Sequence, residues 1–227
     1  MHSAFILKEW DSRFFNRNIF DLNFLDHSDI NDWPENALIQ KKISAADYLN
    51  IDNSIVKEFS LVEGELLFSK KIDGYKIEID SFCFAEYDDI TELKSIVKGL
   101  YISSRYRAPW FTENERDLFY QKWIENSVLT TFDDCCLLLK EKNKIIGFVS
   151  LRIRNNIATI GLIGVNKLYQ GKGVGSRLLK LVENYSAKKL AQKINVATQA
   201  SNISAAKLYN KNNYYISNIA YWFYKKV

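Results

Sequence analysis

A chain of 227 residues, 47% hydrophobic and 26% charged, has the balance of a folded globular protein, which excludes a disordered tail and sets the scale at one large domain or two small ones. Its net charge of +4 accommodates an anionic small ligand but is too mild and dispersed for a nucleic-acid surface. With only His2 and His27, and with Cys83, Cys135 and Cys136 lacking any C-x-x-C spacing, the composition argues against a His-rich or zinc site, so no metal is expected, and against a Ser-His-Asp triad.

The first residues, MHSAFILKEWDSRFF, carry Lys8, Glu9, Asp11 and Arg13 too early for a signal peptide. No apolar run approaches the ~18 residues of a membrane span, so the expectation is a cytoplasmic protein without membrane insertion. NIFDLNFL (18–25) and ALIQKKIS (37–44) read as strands, DYLNIDNSIVKEF (47–59) as a helix and SLVEGELLFSK (60–70) as a further strand. The Asp-Gly turn signal in SKKIDGY marks a seam between a small α/β domain, 1–74, and a larger one, 75–227.

Beyond the seam, KIEIDSFCFAEYDD (76–89) alternates as a strand, and ITELKSIVKGLYISS (90–104) follows as a helix with an acidic first turn. ERDLFYQKWIENSVL (115–129) is a second helix, with Leu118, Trp123 and Val128 expected on its apolar side. DDCCLLLKEKNKIIGFVSLRIRNNIATIGLIGVN (133–166) reads as three antiparallel strands with turns at 141–144 and 155–156. In the middle strand Val149, Leu151 and Ile153 share one face, and Ser150, Arg152 and Arg154 the other. Adjacent Cys135 and Cys136 point to opposite faces, so no disulfide joins them. The remainder runs helix, strand (KINVATQ), helix (ISAAKLYNK), strand (ISNIAYWFYK), which gives an α/β class with a mixed sheet and flanking helices.

The most informative stretch is VNKLYQGKGVGSRLLKLVENY (165–185), a glycine-rich turn between an apolar strand and an amphipathic helix. Such a turn gathers backbone N–H groups at the positive end of a helix dipole, where an anion satisfies them. Gln170, Lys172 and Arg177 add donors or charge nearby. A Walker A loop fails because Lys172 is followed by Gly173, and the dinucleotide fingerprint fails because the third glycine comes one residue early. A purely structural turn is the remaining alternative.

The pattern Q-G-K-G-V-G-S (170–176) after IGLIGV resembles the acetyl-CoA signature of the GCN5-related N-acetyltransferase (GNAT) superfamily. The resemblance implies a GNAT fold whose mixed, mostly antiparallel sheet opens as a V between the strands 157–165 and 193–199. Acetyl-CoA is then the co-substrate, held by Gln170, Gly171, Lys172, Gly173, Val174, Gly175 and Ser176, by backbone groups of Ile163, Gly164 and Val165, and by Asn202. Tyr209, late in the following helix, falls where the superfamily places the phenol that protonates the departing thiolate; taken alone it reads better as a core tyrosine. No cysteine lies in this region, so the amine attacks directly, without a covalent intermediate; the general base is not identified.

A second likeness runs through WDSRFFN (10–16), FSLVEGE (59–65), RYRAPWF (105–111), FYQKWIENSVLTTFDDCCLLL (119–139) and AYWFYK (220–225). These segments are similar to the members of the superfamily that acetylate nucleotide-linked amino sugars. That implies an acceptor of the dTDP-4-amino-4,6-dideoxyhexose type, a place in surface polysaccharide biosynthesis, an N-terminal domain built as a partial GNAT copy, and a homodimer. Arg105 and Arg107 become candidates for the nucleotide's phosphates, or else ordinary surface charges. Trp110 and Phe111 could stack on a base or simply pack, and Asp133 and Asp134 could orient a sugar hydroxyl or amine, though solvated turn carboxylates are the expectation. A protein or peptide acceptor, and a non-catalytic acyl-CoA-binding module, remain as alternatives.

Overall fold

The computed structural model describes residues 4–22, 32–72 and 82–227. In chain order the elements are β1 (Phe5–Leu7), α1 (Glu9–Phe15), β2 (Asn18–Leu22), β3 (Ala37–Ser44), α2 (Tyr48–Val56), β4 (Ser60–Lys71), β5 (Cys83–Phe84), α3 (Ile90–Val97), α4 (Glu113–Val128), β6 (Cys135–Glu141), β7 (Lys144–Arg154), β8 (Ile157–Val165), α5 (Val174–Lys188), β9 (Lys193–Gln199), α6 (Ile203–Lys211) and β10 (Tyr215–Lys226). They pack as two compact units whose segments interleave, instead of running 1–74 and 75–227: one takes Met1–Leu66, Gln199–Ser201 and Asn218–Val227, the other Leu67–Thr198 and Asn202–Ser217. The long strands β4 and β10 contribute to both units, which is why no single cut in the sequence separates them.

In the first unit β1 runs antiparallel to β2, β2 parallel to β3, and β3 antiparallel to the end of β10, with Ala220 opposite Ser44 and Lys226 opposite Leu38. Leu22, Ala37, Ile39, Ile43, Phe59 and Phe223 form its core. Asp47 caps α2 by accepting from the Asn50 amide at 3.2 Å. The expected strand 18–25 is seen as β2; its last residues, and most of the strand expected at 76–89, lie outside the described residues.

In the second unit β5, β6, β7 and β8 form an antiparallel meander, and β9 joins parallel to β8. Both hairpin turns use two left-handed residues, Lys142–Asn143 and Asn155–Asn156, the backbone that matches the twist of a two-residue hairpin. The alternation expected in β7 gives way to burial throughout 145–151, because helices cover both faces of this strand. Helix α3 stops at Val97, short of the expected span, because Gly99 turns left-handed at φ 66° just past its end.

Helix α4 opens with a reciprocal cap: Thr112 Oγ1 accepts from the Glu115 amide at 3.2 Å, and Glu115 Oε2 accepts from the Thr112 amide at 2.7 Å. Its buried side is Phe119, Tyr120, Ile124 and Ser127, while Leu118 is exposed, which corrects the face expected from sequence. The aromatic stripe wins because Tyr106 lies against Phe119 and Tyr101 against Tyr120, each with ring centroids 4.2 Å apart.

Lys41 is a buried cation in the first unit, its Nζ donating to Asn50 Oδ1 at 3.1 Å. Burial lowers it from 10.5 to about 8, a shift that Asp47 opposes and Lys57 reinforces. The unfolded chain therefore holds an extra proton between these two values, and stability rises as pH climbs through that window. Lys41→Met is expected to melt higher than the parent protein at pH 7, with the difference shrinking from pH 8 to 10.5, as thermal melts across that range would show.

Candidate active site

Strand β8 pairs with β9 only from Ile157 opposite Lys193 to Ile160 opposite Val196, although β8 continues to Val165. The departure coincides with a bulge: Val149 of β7 faces Ile163 while Leu151 faces Ile160, so β8 carries one extra residue at 161–162. The last residues of β8 thereby leave their parallel neighbour and open a wedge in the sheet. Tyr101 donates to the Ile163 carbonyl at 3.2 Å, so one of the backbone groups predicted to meet the cofactor already has a partner.

At the end of β8 the chain enters a 3-10 turn, Lys167–Tyr169, capped by Asn166 accepting from the Leu168 amide. Gly171 and Gly173 follow with φ 73° and 80°, and a Cβ at either would meet nothing within 4 Å. Their glycines are thus required by backbone conformation, and the space beside them is open. Among the described residues none of the amides from Gly171 to Ser176 has an acceptor; the first helical bond is Arg177 N to the Gly173 carbonyl, 3.2 Å. Gly175 is different: a Cβ there would stand 3.0 Å from Leu208 Cδ2, so it exists to let α6 approach α5.

Two of the predicted side-chain donors are engaged by the backbone: Gln170 Nε2 donates to the Val165 carbonyl at 3.2 Å, and Lys172 Nζ to the Leu168 carbonyl at 3.0 Å. Ser176 Oγ accepts from Asn212 Nδ2 at 3.1 Å. Val174 is buried, which leaves only its amide to the loop.

Asn202 caps α6, its Oδ1 accepting from the Ala205 amide at 3.2 Å and from Ser204 Oγ at 3.0 Å. Tyr209 lies two turns further on and is only 2% exposed. Its ring packs against Phe68 at 5.2 Å and Tyr214 at 6.1 Å, and its hydroxyl has no hydrogen-bond partner among the described residues. Burial pushes this phenol well above its usual value of 10.0. Tyr101 is raised too, first by burial and then by Tyr120 and Tyr209, which puts the Tyr101 and Tyr209 phenols within electrostatic reach of each other.

Arg105 and Arg107 are half-buried. The Arg105 guanidinium lies 4.4 Å over the Tyr106 ring and donates to a hydroxyl, that of Tyr106, at 2.8 Å. Arg107 donates to the Ser104 carbonyl at 3.3 Å. Phe111 is buried edge-on against Tyr106 at 5.0 Å, a core position. Asp134 is a turn carboxylate as expected: burial pushes it up, but the Ile153 amide and Arg154 outweigh that and lower it. Asp133 is not; it is wholly buried, with three donors on one oxygen, so the solvated reading is wrong for it. Cys135 and Cys136 are free and buried, and burial raises the Cys135 thiol to about 11.

Sequence reasoning gave no role to Tyr101 or Ser150 and took Asp133 for a solvated turn residue. The first was hidden because the helix expected over 90–104 ends at Val97. A serine within the buried run 145–151 was the one available signal for the other two.

Residues 97–214 match the acetyltransferase (GNAT) family. The chain belongs to that family. As a GNAT protein it is 34% identical, over 82% of its own length and 81% of the other's, to dTDP-fucosamine acetyltransferase of Escherichia coli O6:H1. Its fold resembles a GCN5-related N-acetyltransferase from Sphaerobacter thermophilus, with a TM-score of 0.60 at 16% identity over 84% of this chain and 60% of that one. It also resembles the PaiA N-acetyltransferase of Thermoplasma acidophilum in complex with coenzyme A, with a TM-score of 0.51 at 20% identity over 65% of this chain and all (100%) of that one. The bulged β8, the parallel partial pairing with β9 and the helices on the sheet are the GNAT fold, and the GNAT co-substrate is acetyl-CoA.

A row of amides over open space suits the diphosphate of such a co-substrate, so the chain's own residues fit the group. Gly173→Val adds a branched side chain in the left-handed region, a strain of about 1–2 kcal/mol, and fills the open space. Acetyl-CoA affinity measured by calorimetry is expected to fall at least tenfold, with the thermal transition moving by only a few degrees.

Proposed function

We propose that this protein is an acetyl-CoA-dependent N-acetyltransferase acting on the amino group of a nucleotide-linked amino-dideoxy sugar of the dTDP-4-amino-4,6-dideoxyhexose type. What carries the acceptor class is the extent of the likeness to the sugar acetyltransferase, 34% identity across 82% of the chain, well beyond the cofactor loop. The chemistry rests on the loop amides and on the hydroxyl of the buried Tyr209, unpartnered among the described residues.

In this reading the amides of residues 171–176 hold the diphosphate, and Asn202 and the backbone of Ile163–Val165 orient the arm that carries the thioester. A main-chain amide at the end of β8 polarises the thioester carbonyl as charge develops on its oxygen. The sugar's neutral amine attacks that carbon and forms the carbon–nitrogen bond, the carbon–sulfur bond breaks, and Tyr209 gives its proton to the departing sulfur; the proton lost by the nitrogen passes through water and restores the phenol. A phenol raised by burial stays protonated at neutral pH, as a proton donor must. It can still act, because a thiolate formed in the same dry site is destabilised by the same loss of water. Arg105 and Arg107 sit beside the aromatic cluster and are assigned to the nucleotide's phosphates. A cytoplasmic location follows from such substrates, and a homodimer is carried over from the resemblance to the sugar enzymes.

Tyr209→Phe removes one oxygen from a packed ring and leaves the diphosphate loop untouched. Turnover is expected to fall by at least a hundredfold with acetyl-CoA affinity within twofold of the parent. Because burial raises the phenol, the parent's activity should show no loss from Tyr209 below pH 10.0; a Tyr209→Phe variant with full turnover would remove the phenol from the mechanism.

The acceptor is tested by thiol release from acetyl-CoA in the presence of dTDP- and UDP-linked 3-amino and 4-amino sugars and of peptide amines. Turnover with a dTDP-linked 4-amino sugar at least a hundredfold above every peptide is expected. Equal or better turnover with peptides would overturn the sugar assignment, and no turnover with any amine would favour an acyl-CoA-binding module.

A further inference from the structure

We propose that Asp133 is a positioning residue: through Ser150 it pins the Leu162 amide in the β8 bulge and so sets the direction of the last three residues of that strand. The inference rests on the reading above, in which those residues orient the thioester arm.

The carboxylate of Asp133 is fully enclosed, its side chain 0% exposed. On Oδ2 converge Trp123 Nε1 at 3.2 Å and Ser127 Oγ at 2.7 Å, both from α4, and Ser150 Oγ of β7 at 2.6 Å. Arg152 Nε stands 3.3 Å from Oδ1 as a neighbouring charge without hydrogen-bond geometry, and its guanidinium is held 4.6 Å over the Phe132 ring. A carboxylate only accepts, so the single proton of Ser150 is committed to Asp133. The Ser150 oxygen must then act as acceptor toward the strand, and the Leu162 amide donates to it at 3.0 Å.

Leu162 is one of the two residues in the bulge, and the other, Gly161, lies directly on the carboxylate. A Cβ at 161 would stand 2.6 Å from one oxygen and 2.9 Å from the other, closer than any side chain could come. The carboxylate therefore occupies the space that a side chain on a regular strand would need. Pairing of β8 with β9 ends at Ile160, the residue before this contact. Burying a carboxylate is costly unless its partners are fixed, and here the fixed partner lies where the strand must diverge.

The test compares two alanine variants that each remove one donor from the same carboxylate. Ser127→Ala touches only the helix side; Ser150→Ala also frees the Leu162 amide. Both should melt lower than the parent. Only Ser150→Ala should speed hydrogen exchange at the Leu162 amide, by tenfold or more, and lower kcat by about tenfold with the KM for the sugar unchanged. Ser150→Thr, which keeps the hydroxyl, should restore both. Equal exchange at Leu162 in the two variants would overturn the inference, as would full turnover in Ser150→Ala. Should the alanine variant not fold, Ser150→Cys, nearly isosteric and a weak donor, carries the same comparison. If the parent protein bound no acetyl-CoA by calorimetry, the functional reading would fall, while exchange at Leu162 would still decide whether Asp133 holds the bulge.

Discussion

An amide buried or half-buried without an acceptor costs free energy, and a row of them at one helix start concentrates that cost. The turn into α5 leaves the amides from Gly171 to Ser176 without an acceptor among the described residues, at a turn whose first three residues are exposed beside open space. Two left-handed glycines make this possible, and the side chains that could have filled the gap are tied back onto the preceding strand and turn. The arrangement is stable in water, which solvates the amides, and becomes more so when an anion replaces that water.

The strand is placed by a register change. Antiparallel pairing with β7 carries β8 alongside its neighbour, and one additional residue turns it away from β9. A bulge leaves its extra residue out of the ladder, and here a carboxylate with three donors lies against it. The aromatic cluster of Tyr101, Tyr106, Phe119 and Tyr120 covers the same region, with Tyr101 reaching the Ile163 carbonyl. Dispersion and edge-to-face contacts hold this wall together, and burial raises the Tyr101 phenol well above its usual value.

The sequence made some of this legible and hid the rest for physical reasons. ALIQKKIS and the two polar hairpin turns were readable because alternation and paired left-handed residues are local signals, and the structure shows β3 and both turns there. The loop was readable because Gly171 and Gly173 are demanded by their own backbone angles. What Gln170, Lys172 and Ser176 do was not, since their partners at Val165, Leu168 and Asn212 are chosen by tertiary geometry. Asp133 looked like a turn residue because only its neighbours from α4 and β7, distant in sequence, bury it. The interleaving of the two units was equally invisible, because it depends on β4 and β10 running long past a point where the local pattern suggested a break.

The missing side chain of Gly175 has a task apart from its amide: α6 leans on it through Leu208, the residue immediately before Tyr209. Steric touch between the two helices, beside the hydrogen bond from Asn212 to Ser176, therefore meters their spacing. A methyl group introduced there would act as a shim, displacing α6 and Tyr209 with it while leaving the phenol itself unaltered.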